Sequence, residues 1–281
     1  MPRDTRPIAI KNNHQIEAMR KAGRACAELL DHLEPFVHAG ATTGSIDDAA
    51  ALFIASRGWI AAPLGYAPPG HRPFPKSLCA SVNHQVCHGI PGPKTLAQGD
   101  LLKLDCTVIV DGWHGDSCRG FLLPSKSPSA LISPRRLSDL THEAMWEGIA
   151  AAQPGAKLSA IGAAIEKFAT RHRLGIVKDF TGHGIGLGFH ESPSVKHYLD
   201  PSDDTVLLPG MCITVEPMLC LGSGSVRILP DGWTVATSDK TLCAQWEHTV
   251  SILDSGPQVA TCSPGMRPPP DRLARLVLLN L

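Results

Sequence analysis

The 281-residue chain has no excess of charge of either sign: Lys plus Arg and Asp plus Glu stand at 26 each. Nothing in that balance points to nucleic acid or an anionic membrane surface as a partner. No apolar run approaches the ~18 residues of a membrane span, and the opening MPRDTRPIAI lacks the apolar centre of a secretion signal. The nine cysteines are an odd number without CxxC or CxxxxC spacing, so they offer no disulfide framework. The expectation is free thiols in a reducing cytoplasm. What the chain does have, 43% hydrophobic and 19% charged residues, suits a globular protein that buries a sizeable core.

One stretch organises the rest. In LLKLDCTVIVDGWHGDSCRGF, apolar and β-branched residues run from Leu101 to Val110, and Asp111-Gly112 is the dipeptide that favours a type I′ hairpin turn. Such a turn pairs Val110 with Trp113, Thr107 with Asp116 and Asp105 with Cys118. By the period of two, Asp105, Thr107 and Asp116 share a face, with the two carboxylates roughly 7 Å apart at Cβ. Acids so placed repel, and a cation between them relieves the repulsion. A solvated hairpin with acids on its outer face is the plainer reading of two Asp alone, so further ligands decide.

In chain order, the periodicity predicts a helix from about Asn13 to Leu33 and a second one opened by a Ser45/Asp48 capping box, burying Ile46, Ala49 and Phe53 and stopping near Gly58. YAPPGHRPF, Tyr66 to Phe74, is too rich in Pro and Gly for regular structure. SLCASVNHQVCHGI reads as a strand, Pro124 to Pro134 as a Ser/Pro linker, and Ser138 to Ala151 as a third helix. GAKLSAIGAAI (Gly155 to Ile165) then parallels GATTGSIDDAA (Gly40 to Ala50) at an offset of 155 − 40 = 115. That suggests two similar halves, about 12–130 and 135–254, packed face to face with a site between them. They form one domain over 1–254, followed by a Pro-rich tail over 255–281.

The second half supplies candidate ligands. TGHGIGLGFHESP flanks His183 with glycines and brings His190 seven residues later; MCITVEPML puts Glu216 just before Pro217, where a ladder should break; CAQWEHTVSIL is a strand with Glu247 among apolar neighbours. Each alone is compatible with a structural or solvated role. Together, two Asp, two Glu and one His at strand ends or tight turns, with no basic cluster to neutralise them, favour a metal site. Four carboxylates and an imidazole without thiolates suit Mn(II), Fe(II) or Co(II).

These segments, with FPKSLCASVNHQVCHGIP (Phe74 to Pro91), stand in the order of the type I methionine aminopeptidases, and the chain resembles that family from about Asn12 to Ile252. The resemblance implies an α+β pita-bread fold with two pseudo-symmetric halves. It also implies a dinuclear centre of two divalent metal ions held by Asp105, Asp116, His183, Glu216 and Glu247. His88 and His190 would contact the substrate and act in catalysis with Glu216 as proton shuttle, and the methionine pocket would be walled by Tyr66, Phe74, Cys79, Phe189 and Trp233. The implied activity is removal of the initiator methionine from nascent polypeptides whose second residue is small, by a bridging hydroxide, in a cytoplasmic monomer that meets its substrates near the ribosome and needs neither nucleic acid nor membrane.

Three features depart from the family pattern. YAPPGHRPF is longer than the usual connection by roughly four residues, at the rim of the expected pocket. Lys103 shares a face with Asp105, where an ammonium could pair with a ligand carboxylate, and Cys118 puts a thiol opposite Asp105. Other readings are a related aminopeptidase of altered specificity, such as a proline-specific or creatinase-like enzyme, a non-catalytic ribosome-, RNA- or peptide-binding relative, and a thiol enzyme. The first usually needs a large N-terminal domain and lacks CHGIP, the second should have lost ligands, and the third has no motif behind it.

Overall fold

The structure, a computed structural model, describes residues 6–274. The chain opens with α1 (Asn13–Leu33), whose Asn12 accepts from Gln15 in a capping box. Helix α2 (Thr43–Ser56) follows, and here the expected Ser45/Asp48 box is replaced by one between Thr42 and Ser45. The helix therefore starts earlier, and Ile46, Ala50 and Ile54 form its fully buried face while Ala49 and Phe53 are only partly covered. Helix α3 (Ile132–Ala151) also starts earlier than expected, absorbing Pro134 into its first turn, where a proline's missing N–H costs nothing. Helix α4 spans Ser159–His172.

The strands of the first half are β1 (Ile60–Ala61), β2 (Cys79–Val82), β3 (Leu101–Val110) and β4 (Trp113–Leu122). Strands β3 and β4 form the expected hairpin in the expected register, Val110 opposite Trp113, Thr107 opposite Asp116 and Asp105 opposite Cys118. Asp111 and Gly112 both have positive φ, 51° and 84°, as a type I′ turn requires. Strand β2 runs on the other side of β3 but ends at Val82. The longer strand expected here stops because Asn83 turns into the left-handed region at φ 54°.

The second half contributes β5 (Gly175–Ile176), β6 (Gly182–Gly184), β7 (Glu191–Val195), β8 (Cys212–Val215), β9 (Met218–Cys220), β10 (Val226–Ile228), β11 (Val235–Thr237), β12 (Cys243–Gln245), β13 (His248–Leu253) and β14 (Gly256–Val259). They form a five-stranded sheet in the order β14-β13-β8-β6-β7, a three-stranded sheet β12-β9-β5 and the hairpin β10-β11. Residues from 255 onward, read from the sequence as a tail, thus begin with an edge strand; further along, Ser263 and Gly265 bond Asp31 of α1 and Arg267 pairs with Asp139 of α3.

Each half has its own core. Leu102, Leu104, Cys106 and Val108 point from β3 under α1 and α2, against Leu29, Leu30, Ile46 and Ile54. Ile213, Val215, Val250 and Ile252 point from β8 and β13 under α3 and α4, against Trp146, Ile149, Ile161 and Ile165. A buried Leu or Ile in either layer contributes about 1.5–3 kcal/mol. Gly115 lets α1 lie directly on β4, since a Cβ there would sit 2.1 Å from the Ala22 carbonyl oxygen. The sequence parallel between halves is matched in the backbone. Gly40 and Gly155 both take positive φ, Ala41 and Ala156 accept from Leu96 and Leu207, and isolated bridges join Thr42 to Thr95 and Lys157 to Val206. With one face of each strand spent on a core, the alternate residues are left facing the seam between halves.

Candidate metal centre

Every candidate ligand sits on that seam. Asp105 and Asp116 are the odd and even members of the β3/β4 pairing that face away from α1. In the second half the ladder is interrupted: β8 pairs Val215 with His248 and β9 pairs Met218 with Gln245, so the same register carries across the gap and sets Glu216 opposite Glu247. Pro217 has no N–H to continue the ladder. The expected single strand through Glu247 is likewise split, into β12 and β13 around Trp246 and Glu247. His183 lies in β6 beside a bulge that shifts the register between His183 and Gly184, the kind of irregularity that re-aims a side chain.

Ligand atoms of Asp116, His183 and Glu247 lie within 4.8 Å of one another. Glu216 joins them, its Oε1 3.8 Å from His183 Nε2, while Asp116 Oδ2 is 3.6 Å from the same nitrogen. Asp105 lies outside the tight group but lines the same cavity, as do the other four. The His183 Nδ1 is 2.9 Å from the Gly184 carbonyl, which places its proton there and turns the Nε2 lone pair toward the carboxylates. Burial holds this imidazole near a pKa of about 4, so it is a neutral donor of electrons rather than one half of an ion pair.

Hydroxyls fix the carboxylates. Thr107 donates to Asp116 Oδ1 at 2.8 Å, and Thr214 accepts from the His183 N–H at 2.9 Å while donating to Glu216 Oε1 at 2.8 Å. Thr249 accepts from the Asp116 N–H and donates to its carbonyl, and Ser117 donates to the Glu247 carbonyl. Among the described residues no Lys or Arg pairs with any of the four acids. Burial pushes Asp105 up to about 7, and burial with mutual repulsion raises Asp116, Glu216 and Glu247. Glu247 Oε1 is buried without a hydrogen-bond partner. Crowded acids that ionise reluctantly alone, one with an orphaned oxygen, fit a divalent cation.

Lys103 does not take that role. Its ammonium turns away and donates to the carbonyls of Asn83 and Cys243 at 2.9 and 3.0 Å, correcting the expectation that it could pair with a ligand. Cys118 is buried, its Sγ 4.0 Å from the Gln245 carbonyl.

The cavity of ≈ 320 Å³ that holds the acids is also lined by Tyr66, Phe74, Cys79, His88, Phe189, His190 and Trp233, so all the expected pocket residues converge. His88 has a positive φ of 54° and meets Phe180 and Trp233 edge-on at 5.4 and 6.2 Å. His190 stands 4.3 Å from the His183 ring and 5.1 Å from Tyr66; desolvation of the ring first, then the neighbouring imidazoles of His183 and His88, holds it neutral although part of the residue is exposed. The sequence placed Pro68 in the loop at the pocket rim but did not point to Pro63, Phe180 and Met218, which also line the cavity, nor to Thr214, Thr249 and His197. Thr214 and Met218, two residues either side of Glu216, and Thr249, two after Glu247, had a signal in the alternation of their strand patterns; the others had none.

The family model described as metallopeptidase family M24 matches residues 17–254. The chain is 42% identical over 255 residues to methionine aminopeptidase B of Synechocystis sp., covering 90% of this chain and 92% of that one. It is 43% identical over 258 residues to the methionine aminopeptidase of Rickettsia prowazekii, covering 92% and 96%. The crystal structure of a methionine aminopeptidase from Rickettsia prowazekii superposes with a TM-score of 0.86 at 42% identity over 91% of this chain and 100% of the other. A prolidase from Pyrococcus furiosus, at 20% identity and a TM-score of 0.69 over 90% and 65%, shares the fold.

Proposed function

The chain belongs to metallopeptidase family M24 and has the α+β pita-bread fold expected for it, and we propose that it is the enzyme that removes the N-terminal methionine from polypeptides. The observation that carries this is the convergence, on one cavity, of four carboxylates, three buried and one partly so, a neutral imidazole and an apolar, aromatic wall.

Asp105, Asp116, His183, Glu216 and Glu247 would hold two divalent ions of the Mn, Fe or Co type. When bound, these supply a Lewis acid and an activated water. The chain's own groups do the rest. Tyr66, Phe74, Cys79, Phe189 and Trp233 take an unbranched apolar side chain and exclude water around the first peptide bond. Their sulfur and ring edges suit a thioether. His190 and His88, both held neutral by desolvation in the cavity, offer N–H groups to the substrate carbonyl, where negative charge develops. Glu216 carries the proton from nucleophile to leaving amine, its Oε1 held by Thr214 and its Oε2 3.4 Å from the Gln245 amide.

The substrates are nascent chains with a small second residue, met at the ribosome by a cytoplasmic monomer that requires neither nucleic acid nor membrane. Among the described residues no helix is long and apolar enough to cross a membrane. The test is cleavage of a Met-Ala-Ser peptide by chelated and reconstituted protein with metal analysis alongside. Chelation should abolish cleavage and Mn(II), Fe(II) or Co(II) restore it. Full activity in metal-stripped protein would overturn the mechanism.

A further inference from the structure

At the seam, backbone N–H groups of the proposed ligands leave the strand ladder. That of Asp116 goes to Thr249 Oγ1 at 3.2 Å, that of His183 to Thr214 Oγ1 at 2.9 Å and that of Glu247 to the Cys118 carbonyl at 3.0 Å. The N–H of Glu216 goes to an imidazole, His197 Nε2, at 3.1 Å. Because Pro217 has no N–H, the bond at residue 216 is the last point at which this strand is held before it breaks. The peptide it fixes is the one that launches the Glu216 side chain toward Thr214 and His183.

His197 follows β7 and is 1% exposed. Accepting through Nε2 places its proton on Nδ1, and Nδ1 is buried without a hydrogen-bond partner. A buried N–H left unpaired is costly, and a leucine would fill similar space without that cost. The imidazole is therefore sustained by what its other nitrogen does.

We infer that His197 is a positioning residue for Glu216: its Nε2 fixes the peptide that carries Glu216 and so aims that carboxylate at His183 and the cavity. This rests on the reading of Glu216 as ligand and proton carrier. His197 itself does not line the cavity, and it acts on the reaction only through Glu216.

Three variants separate positioning from packing. His197→Gln can bring an amide oxygen to where Nε2 lies, His197→Asn is too short to do so, and His197→Leu fills the space with no acceptor. Each is compared with the wild type by Mn(II) titration calorimetry on the chelated protein, by kcat and KM on Met-Ala-Ser after reconstitution, and by melting temperature. The Leu and Asn variants should bind Mn(II) and turn over about 10- to 100-fold more weakly, with KM within about twofold of the wild type because the apolar pocket is untouched. The Gln variant should recover to within a few-fold.

Affinity and kcat within about twofold of wild type in Leu or Asn would overturn the inference, and so would equal loss in Gln and Asn, which marks a packing defect. If the Leu variant does not fold, Gln against Asn carries the comparison. A wild type that binds Mn(II) without cleaving the peptide defeats the proposed reaction and leaves the affinity comparison to decide His197. A wild type that does not bind Mn(II) overturns both.

Discussion

The ammonium of Lys103 donates to the carbonyl of Cys243 at 3.0 Å, from β3 of the first half to β12 of the second, and a further bond to Asn83 at 2.9 Å anchors it to the turn after β2. The side chain is 1% exposed, and burial lowers its pKa to about 8. It is a bolt across the seam that leaves the neighbouring acids free for a cation.

Removing the bolt should cost stability and spare the metal. Lys103→Met keeps the buried stem but orphans the buried Cys243 carbonyl, at about 1–3 kcal/mol, and takes one of two donors from the Asn83 carbonyl, which keeps the Cys243 N–H at 3.2 Å, the whole partly offset by relief of a buried charge. The expected loss is about 2 kcal/mol in a denaturant titration, with unchanged metal stoichiometry. Loss of metal at unchanged stability would mean the ammonium acts on the ligands instead.

Glu216→Gln should lower kcat by far more than it raises KM, because it removes proton transfer exercised only in the transition state. Steady-state kinetics on Met-Ala-Ser after reconstitution checks this. A change confined to KM contradicts the shuttle role.

The sequence showed the site better than it showed the scaffold. The Asp111-Gly112 turn fixes a register that side-chain alternation then converts into a face, so Asp105 and Asp116 could be placed before any tertiary contact was known. Glu216 was legible because a proline after it must break a ladder. Element starts were not. Thr42 and Ser45 outcompete Ser45 and Asp48 as a cap because the bridge from Thr42 to Thr95 holds the chain extended there, a long-range contact invisible to a local pattern. The partner of Lys103 was out of reach for the same reason, since Cys243 is 140 residues away.

Acid should expose one buried histidine of the α3 core. His142 accepts from the indole of Trp146 at 3.1 Å, and burial, aided by the nearby Arg267 charge, lowers its pKa from 6.5 to about 3. Between those values the unfolded state binds a proton that the folded state refuses, so the stability from the neutral imidazole is complete above about 6.5 and is lost as pH falls toward 3. Relative to His142→Gln, the wild type should lose about 1.4 kcal/mol per pH unit in that window. Parallel stability curves for the two proteins from pH 6.5 to 4 would contradict the assignment.

The loop between Tyr66 and Phe74 is tied down. The Gly65 and Phe74 N–H groups close its base on the Phe74 and Tyr66 carbonyls, both at 2.8 Å, and His71 bonds back to Pro68 at 2.9 Å. Its outer arm is clasped by Trp233, whose indole donates to the Arg72 carbonyl at 3.0 Å, and Pro68 lines the cavity. A loop held at base, middle and tip is a wall for the incoming peptide, yet none of the five ligands belongs to it. Shortening residues 67–73 should therefore change the preference among second residues without touching metal content. In kcat/KM for Met-Ala, Met-Val and Met-Leu peptides, the ratio of small to bulky second residues should move by about 1 kcal/mol, the scale of one or two methylenes admitted or excluded. Trp233→Phe, which keeps a ring but loses the donor, should move it in the same direction by less. An unchanged ratio with full metal would show that the wall does not meet the substrate, and loss of metal would show that the loop supports the ligands after all.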